Sequence, residues 1–136
     1  MTGEFTIAVH ALVFLYHKDS TVSSETLAKN ICTNPARVRK VMAKLKKAGL
    51  VATREGLTGG YRLNGDASAI TLRTIADILE EKFAAITWHS GDSDMDCLIA
   101  SGMAGIMDAI SGELDACCRD KLSTITIRDI NDRLFG

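Results

Sequence analysis

The stretch that decides the fold is TNPARVRKVMAKLKKAG, residues 33–49. Asn34 is a residue type that caps helices, and Pro35 suits the first helical position, where its missing N–H loses no hydrogen bond. Apolar residues then recur four and three positions apart, at Val38, Met42 and Leu45. The pattern predicts a helix over residues 35–48 with one apolar face and an otherwise strongly basic surface.

Two further helices precede this basic helix. Residues 4–18 carry apolar side chains at helical spacing, and Asp19 and Ser20 interrupt the pattern. A second helix is expected to start at Ser23 or Ser24, either of which can cap it, and to end near residue 32.

A short β-hairpin follows the basic helix. Residues 50–54 and 61–63 are partly alternating, and the turn EGLTGG, residues 55–60, joins them with glycines that allow positive φ. Another helix is expected to follow, with Thr71 as its N-cap. The order of helix, helix, basic helix, hairpin and helix is the plan of a winged helix-turn-helix.

The C-terminal half has a different organisation. Residues 83–96 are irregular and acidic, residues 97–122 form one long amphipathic stretch, and residues 123–136 contain a short amphipathic helix. The apolar seam of the long stretch has near-heptad spacing and suits packing along another long helix, through Ile99, Met103, Ile106, Ile110, Leu114 and Cys117. We therefore expect a mainly α protein with a small β-hairpin wing: a winged helix-turn-helix domain over residues 1–82 plus a long dimerisation helix.

Charge is divided unevenly along the chain. The net charge is −1, but residues 1–65 hold ten basic and four acidic side chains, a balance of +6. Residues 66–136 hold six basic and thirteen acidic side chains, a balance of −7. The division predicts one half that meets a polyanion and one half that does not.

Composition excludes several classes of protein. The 136 residues are 46% hydrophobic and hold one Pro and 11 Gly, which does not fit a disordered or collagen-like chain. The apolar run over residues 7–16 is too short to span a bilayer and lacks the basic start of a signal peptide. No catalytic triad, phosphate loop or zinc-protease motif occurs. We expect a cytoplasmic protein that is not an enzyme.

The candidate DNA-binding residues lie on the basic helix, the turn before it and the hairpin. Arg can read guanine and Asn can read adenine at the start of a recognition helix, and basic residues at a wing meet the backbone or minor groove. The set is Ser24, Thr33, Asn34, Pro35, Ala36, Arg37, Arg39, Lys40, Lys44, Arg54, Thr58, Gly59, Gly60, Tyr61 and Arg62.

The segment after the basic helix resembles a known family. It contains AGLV at residues 48–51, REGLTGGYRL at 54–63 and ITL at 70–72. This set is similar to the Rrf-two (Rrf2) family of bacterial winged-helix transcription regulators, which includes the iron–sulfur cluster regulator, the nitric-oxide-sensitive repressor and the cysteine-metabolism repressor. An inserted Glu55 and a Thr53 near the usual Ser depart from the family pattern. The resemblance implies a homodimer, paired through the long helix, on a roughly palindromic double-stranded operator.

Several members of that family hold an iron–sulfur cluster on three closely spaced cysteines after the wing. Here the corresponding region offers only Cys97, and such clusters require thiolate ligands. We therefore expect no cluster, no metal and no other cofactor. A metal sensor built on His89, Asp92, Asp94, Asp96 and Cys97 is an alternative, although their spacing matches no recognised ligand pattern.

Cys32 and Cys97 are the candidate redox residues. Cys32 lies beside the start of the basic helix, whose dipole and arginines favour a thiolate. The alternative for Cys32 is a small side chain buried in the core. A link between Cys32 and Cys97, within or between subunits, is a further hypothesis.

Together these features predict a sequence-specific DNA-binding regulator, acting as a repressor, with a thiol-redox input. The alternatives are a winged-helix module that binds proteins and never DNA, and a regulator that responds to a metal or an iron–sulfur cluster.

Overall fold

A computed structural model describes all of residues 1–136. The chain contains six helices and one two-stranded sheet. In chain order they are α1 (Gly3–Lys18), α2 (Ser24–Ile31), α3 (Pro35–Lys47), β1 (Val51–Arg54), β2 (Gly60–Leu63), α4 (Leu72–Ile78), α5 (Leu98–Leu122) and α6 (Ile127–Phe135). The prediction of a mainly helical winged helix-turn-helix with a hairpin wing is confirmed.

Helix boundaries follow the capping chemistry of the sequence. The side chains of Thr2, Ser23 and Asn34 each accept a hydrogen bond from a backbone N–H in the first turn of α1, α2 and α3. Of the two serines that could cap α2, Ser23 is the one that does so. Asp19 and Cys32 end α1 and α2 in the left-handed conformation, with φ of 48° and 65°.

One apolar core joins the first four helices and α6. Its fully buried side chains include Leu12, Leu27, Met42, Leu45, Ile75 and Ile127. Truncating such a side chain to Ala typically costs about 2–5 kcal/mol, because it removes apolar contacts and leaves a cavity. The core therefore fixes α3 on α1 and α2, and it presents the basic surface of α3 outward.

The wing is an antiparallel hairpin extended by a third piece of chain. Val51 pairs with Leu63 and Arg54 with Gly60 across β1 and β2. The backbones of Val22 and Tyr61 exchange two hydrogen bonds of 2.8 Å, which attach the wing to the segment before α2. Gly60 lies against this junction, where a Cβ atom would collide with the backbone of Val22.

Helix α6 belongs to the same compact unit as the N-terminal helices. That unit comprises residues 1–81 and 122–136. Leu72 N–H donates to Ile125 and Ile127 N–H donates to Ile70, at 2.9 and 3.0 Å. A helix was predicted within residues 123–136, and α6 begins only at Ile127, because Thr126 is extended in its pairing with Thr71 and caps α6 in a reciprocal capping box.

The second compact unit is residues 82–121. Its irregular segment runs antiparallel along α5: Asp115 accepts from Phe83 N–H at 2.9 Å, Ser111 donates to the Ala84 carbonyl at 3.0 Å, and His89 contacts Asp108 at 2.7 Å. We call residues 83–97 the strap. Polar side chains of α5 thus hold this segment, which has no secondary structure of its own.

None of the six helices combines the length with the apolar character that crossing a bilayer requires.

Candidate nucleic-acid interface

The exposed face of α3 is divided into a central stripe and two flanks. Its buried side is Val38, Val41, Met42 and Leu45. At about 100° of rotation per residue, the opposite side carries the exposed residues Ala36, Lys40, Ala43 and Lys47. Alternating alanines and lysines leave room for close approach to a groove and place two cations along it. Ala43 and Lys47 were not among the predicted site residues, although helical spacing from Ala36 and Lys40 indicates them.

The side chain of Asn34 is committed to the start of α3. Its carboxamide oxygen accepts the Arg37 backbone N–H at 2.8 Å. A bidentate contact with adenine needs that oxygen as well as the amide nitrogen. The prediction that Asn34 reads a base therefore conflicts with its role as cap. Pro35 likewise serves the helix start, at the first helical position.

One flank of α3 lies against the start of α1. Glu4 pairs with Lys40 at 3.3 Å and with Lys44 at 3.0 Å. The hydrogen bond from Lys44, aided by Lys40, holds the pKa of the Glu4 carboxyl below its usual value against the opposing effect of burial. The Arg37 guanidinium lies directly over Gly3, where a Cβ atom would collide with its Nη2.

Gly3 and Glu4 were missed because they lie more than thirty residues away from α3 in the chain. No local pattern marks them as partners of Arg37, Lys40 or Lys44.

The other flank of α3 lies against α2. Arg39 Nη1 donates to Ser24 Oγ at 3.3 Å and lies 3.7 Å from Glu25 Oε1. Ser24 is buried, with 9% of its surface exposed. Ser24 therefore orients Arg39, while Thr33 lies half-buried in the turn between α2 and α3.

The wing presents its cations outward and keeps its tyrosine as a structural residue. Arg54, Arg62 and Thr58 are exposed, whereas Gly59 and Gly60 are half-buried. Burial raises the pKa of the half-buried Tyr61, whose backbone holds the wing to Val22. The fully exposed Leu57 at the tip was not predicted, although an apolar residue inside a Gly-rich turn is the signal that would have found it.

Comparisons with known proteins fit this arrangement. The sequence profile of the Rrf2 family, described as iron-dependent transcriptional regulators, matches residues 1–133. The chain belongs to the Rrf2 family. Its members are transcriptional regulators and not enzymes, as the sequence predicted.

Individual relatives match over most of the chain. YwnA of Bacillus subtilis, a candidate HTH-type transcriptional regulator, is 24% identical over 99% of both chains. The HTH-type transcriptional regulator IscR of Vibrio vulnificus is 27% identical over 94% of this chain and 73% of its own length.

Solved structures share the fold. A candidate transcriptional regulator of Lactobacillus plantarum superposes with a TM-score of 0.87 at 26% identity, over 100% of this chain and 92% of its own. CymR of B. subtilis, the global cysteine regulator, superposes with a TM-score of 0.68 at 19% identity. The superposition covers 98% of this chain and 96% of CymR.

The residues of this Rrf2 member do not fit an iron–sulfur cluster or a bound iron ion. No three His, Cys, Asp or Glu side chains are grouped as metal ligands. Cys97 is the single thiol of the strap. Cys117 lies 20 residues further along the chain, which corresponds to about 30 Å at a rise of about 1.5 Å per helical residue. His89, a candidate ligand, contacts the Asp108 carboxylate instead.

All four cysteines are free thiols, and the two candidate redox residues are exposed. The alternative that Cys32 is a buried core residue is therefore wrong: its position at the left-handed end of α2 turns it outward. Cys97 precedes the first turn of α5, where the N–H groups of Ala100 and Ile99 lower the pKa of its thiol.

Helix α5 exposes the predicted apolar seam. Ile99, Ile106 and Leu114 are 72%, 58% and 54% exposed, and Ser111 is the only buried residue of the helix. Ile110 and Cys117 are exposed as well, and Met103 is half-buried. A continuous row of exposed apolar side chains along one helix marks an interaction surface.

Proposed function

We propose that this Rrf2 member represses transcription in the cytoplasm by binding double-stranded DNA through α3 and the wing. The observation that carries the proposal is the cationic surface of α3, on which Arg37, Lys40, Lys44 and Lys47 surround two alanines. Such a surface suits a major groove, because the alanines permit close approach and the cations meet phosphates and base edges.

We propose further that the chain acts as a homodimer on a palindromic operator. The exposed seam of α5 supports pairing, because a second copy would remove its isoleucines and leucines from water. In a two-fold dimer the recognition helices would contact half-sites about 34 Å apart, which is one turn of DNA.

The test is selection of bound sequences from random DNA, followed by titration of the selected operator at several salt concentrations. The expected operator is two-fold symmetric, and log K should fall linearly with log salt by about 0.9 per neutralised phosphate. Binding with little salt dependence, or no enriched sequence, would favour the alternative of a protein-binding module.

Exposed thiols support a redox input without a cluster. Cys32 is exposed at the end of α2, three residues before α3 begins at Pro35. An adduct on its thiol would therefore disturb the proposed recognition helix. Oxidant should weaken operator binding by wild type and by Cys118→Ser, but not by Cys32→Ser. Protein purified without oxygen should be colourless and free of iron. If oxidant still weakens operator binding by Cys32→Ser, Cys32 is not the sensing thiol, and the sensing role passes to Cys97, the second candidate.

A further inference from the structure

A groove runs between α1 and α6 in the first compact unit. Its volume is about 690 Å³, within the range of about 300–1,000 Å³ that is typical of small-molecule sites. Buried side chains form its floor: Phe5, Val13 and Leu72 are 3%, 8% and 8% exposed. The floor is therefore part of the packed core, which gives the groove a preformed shape.

Apolar side chains of α6 form the wall of the groove that faces α1. Ile130, Leu134 and Phe135 line it, and the last two are 65% and 61% exposed. The Phe135 ring stacks on His17 with 3.9 Å between ring centroids and 9° between the planes. This stack joins α1 to the C-terminal end of α6 along the groove.

Every ionisable side chain that lines the groove is basic. His10, His17 and Lys18 line it, and no Asp or Glu does. His10 Nε2 lies 2.7 Å from Asn30 Oδ1, which orients a polar pair on the wall. The Lys18 ammonium lies 5.5 Å from the centre of the Phe14 ring. Charge complementarity therefore favours an occupant with an apolar body and an anionic end.

We propose that the α1–α6 groove binds a small carboxylic acid with an aromatic or aliphatic body. The body occupies the space between Val9, Val13 and Leu134, and the carboxylate lies near His17 and Lys18. This site does not depend on DNA binding, so its failure would leave the proposed function untouched.

The test uses two dyes that share one ring system. 8-Anilino-1-naphthalenesulfonate carries an anionic group, and N-phenyl-1-naphthylamine is its neutral counterpart. Full-length protein should bind the anionic dye more tightly, at one dye per chain, and decanoate should displace it better than decanol does. Equal binding of the two dyes, or equal displacement by decanoate and decanol, would contradict the proposed charge preference.

Variants locate the site. Val9→Trp fills the groove and should weaken the anionic dye by about tenfold or more. Lys18→Gln removes one positive charge and should weaken binding of the anionic dye by about threefold while leaving binding of the neutral dye unchanged. Lys29→Gln, on α2 outside the groove, is the matched control. Far-ultraviolet circular dichroism and a thermal melt verify that each variant is folded.

Two outcomes would overturn the proposal. Dye binding that persists in folded Val9→Trp would place the dye elsewhere, such as on the seam of α5. Wild type that binds no dye, together with a Val9→Trp variant that dissociates into monomers, would assign the groove to a second copy of the chain.

Discussion

Glu4 Oε2 lies 3.0 Å from Lys44 Nζ, so the first turn of α1 holds a cation of α3, the proposed recognition helix. The same carboxylate reaches Lys40 at 3.3 Å through its other oxygen. Glu4 thus fixes the direction of two lysines and also places a negative charge beside them. A phosphate that approaches these lysines meets both effects.

We expect Glu4→Gln to bind the operator more tightly. Removing the carboxylate removes a repulsion and releases two lysines for phosphates, which should raise affinity by about two- to fivefold at low salt. The salt slope should steepen by about one unit. Fluorescence anisotropy with labelled operator at several salt concentrations measures both quantities.

The matched control is Glu80→Gln, the same change at an exposed position outside α3 and the wing. If Glu4→Gln binds more weakly than wild type, orientation of the lysines outweighs repulsion, and Glu4 is a positioning residue.

The same ion pairs make a pH-dependent contribution to folding. The lysines hold the pKa of Glu4 below its usual 4.5. A carboxyl whose pKa is lowered on folding stabilises the native state above its unfolded pKa, and this stabilisation disappears as the pH falls through the folded pKa. Wild type should therefore exceed Glu4→Gln in the free energy of unfolding at pH 6–7, by an amount that shrinks below about pH 4.5. Urea unfolding across this range measures it, and a pH-independent difference would contradict the assigned cause.

Gly60 should tolerate substitution less well than Gly56 in the same wing. A Cβ atom at Gly60, with φ of 150°, would collide with the Val22 backbone, which cannot move aside as a flexible side chain can. Gly56 has φ of 101°, and a Cβ atom there would meet nothing within 4 Å, so only backbone strain opposes Ala at this position. Gly56→Ala should cost about 1 kcal/mol and Gly60→Ala clearly more.

Thermal and urea unfolding of the two glycine variants provides the comparison. Equal losses of stability would mean that the chain before α2 moves away from the wing without cost.

Local chemistry explains which features the sequence could predict. Caps such as Ser23 and Asn34, the Pro35 helix start and the Gly-rich turn act within a few residues, so the helix-turn-helix and wing followed from them. The pairing of Thr71 with Thr126 joins residues far apart in the chain, so the later start of α6 could not be predicted from local sequence. The candidate interface divides in the same way. The basic residues of α3 can be predicted from their helical spacing, whereas Gly3 and Glu4 are placed beside them only by the packing of α1 on α3.

Arg37 provides a direct test of base reading. It lies in the first turn of α3, is exposed, and has its guanidinium over Gly3. If it contacts guanine, Arg37→Ala should cost about 1–3 kcal/mol on the operator and relax sequence preference at one position of each half-site. Binding to operators with every base at each position measures the preference. Lys47→Ala is the control expected to weaken all sequences equally, and an equally uniform loss for Arg37→Ala would make Arg37 a phosphate contact.

Ile106 tests the proposed dimer. It lies in the middle of the α5 seam and is 58% exposed, so a second copy would bury it next to apolar neighbours. Ile106→Lys places a charge in that interface and should shift the chain to monomer at micromolar concentration, because an unpaired buried charge is strongly unfavourable. Analytical ultracentrifugation measures the mass, and binding to full and half operators measures the consequence.

Ala116→Lys is the matched control, because Ala116 is exposed on α5 about 100° around the helix from the seam. The Ile106→Lys monomer should retain its affinity for a half-site while it loses the added affinity for the full operator, since α3 and the wing belong to the other unit. An Ile106→Lys protein that remains dimeric would place the subunit contact outside the seam.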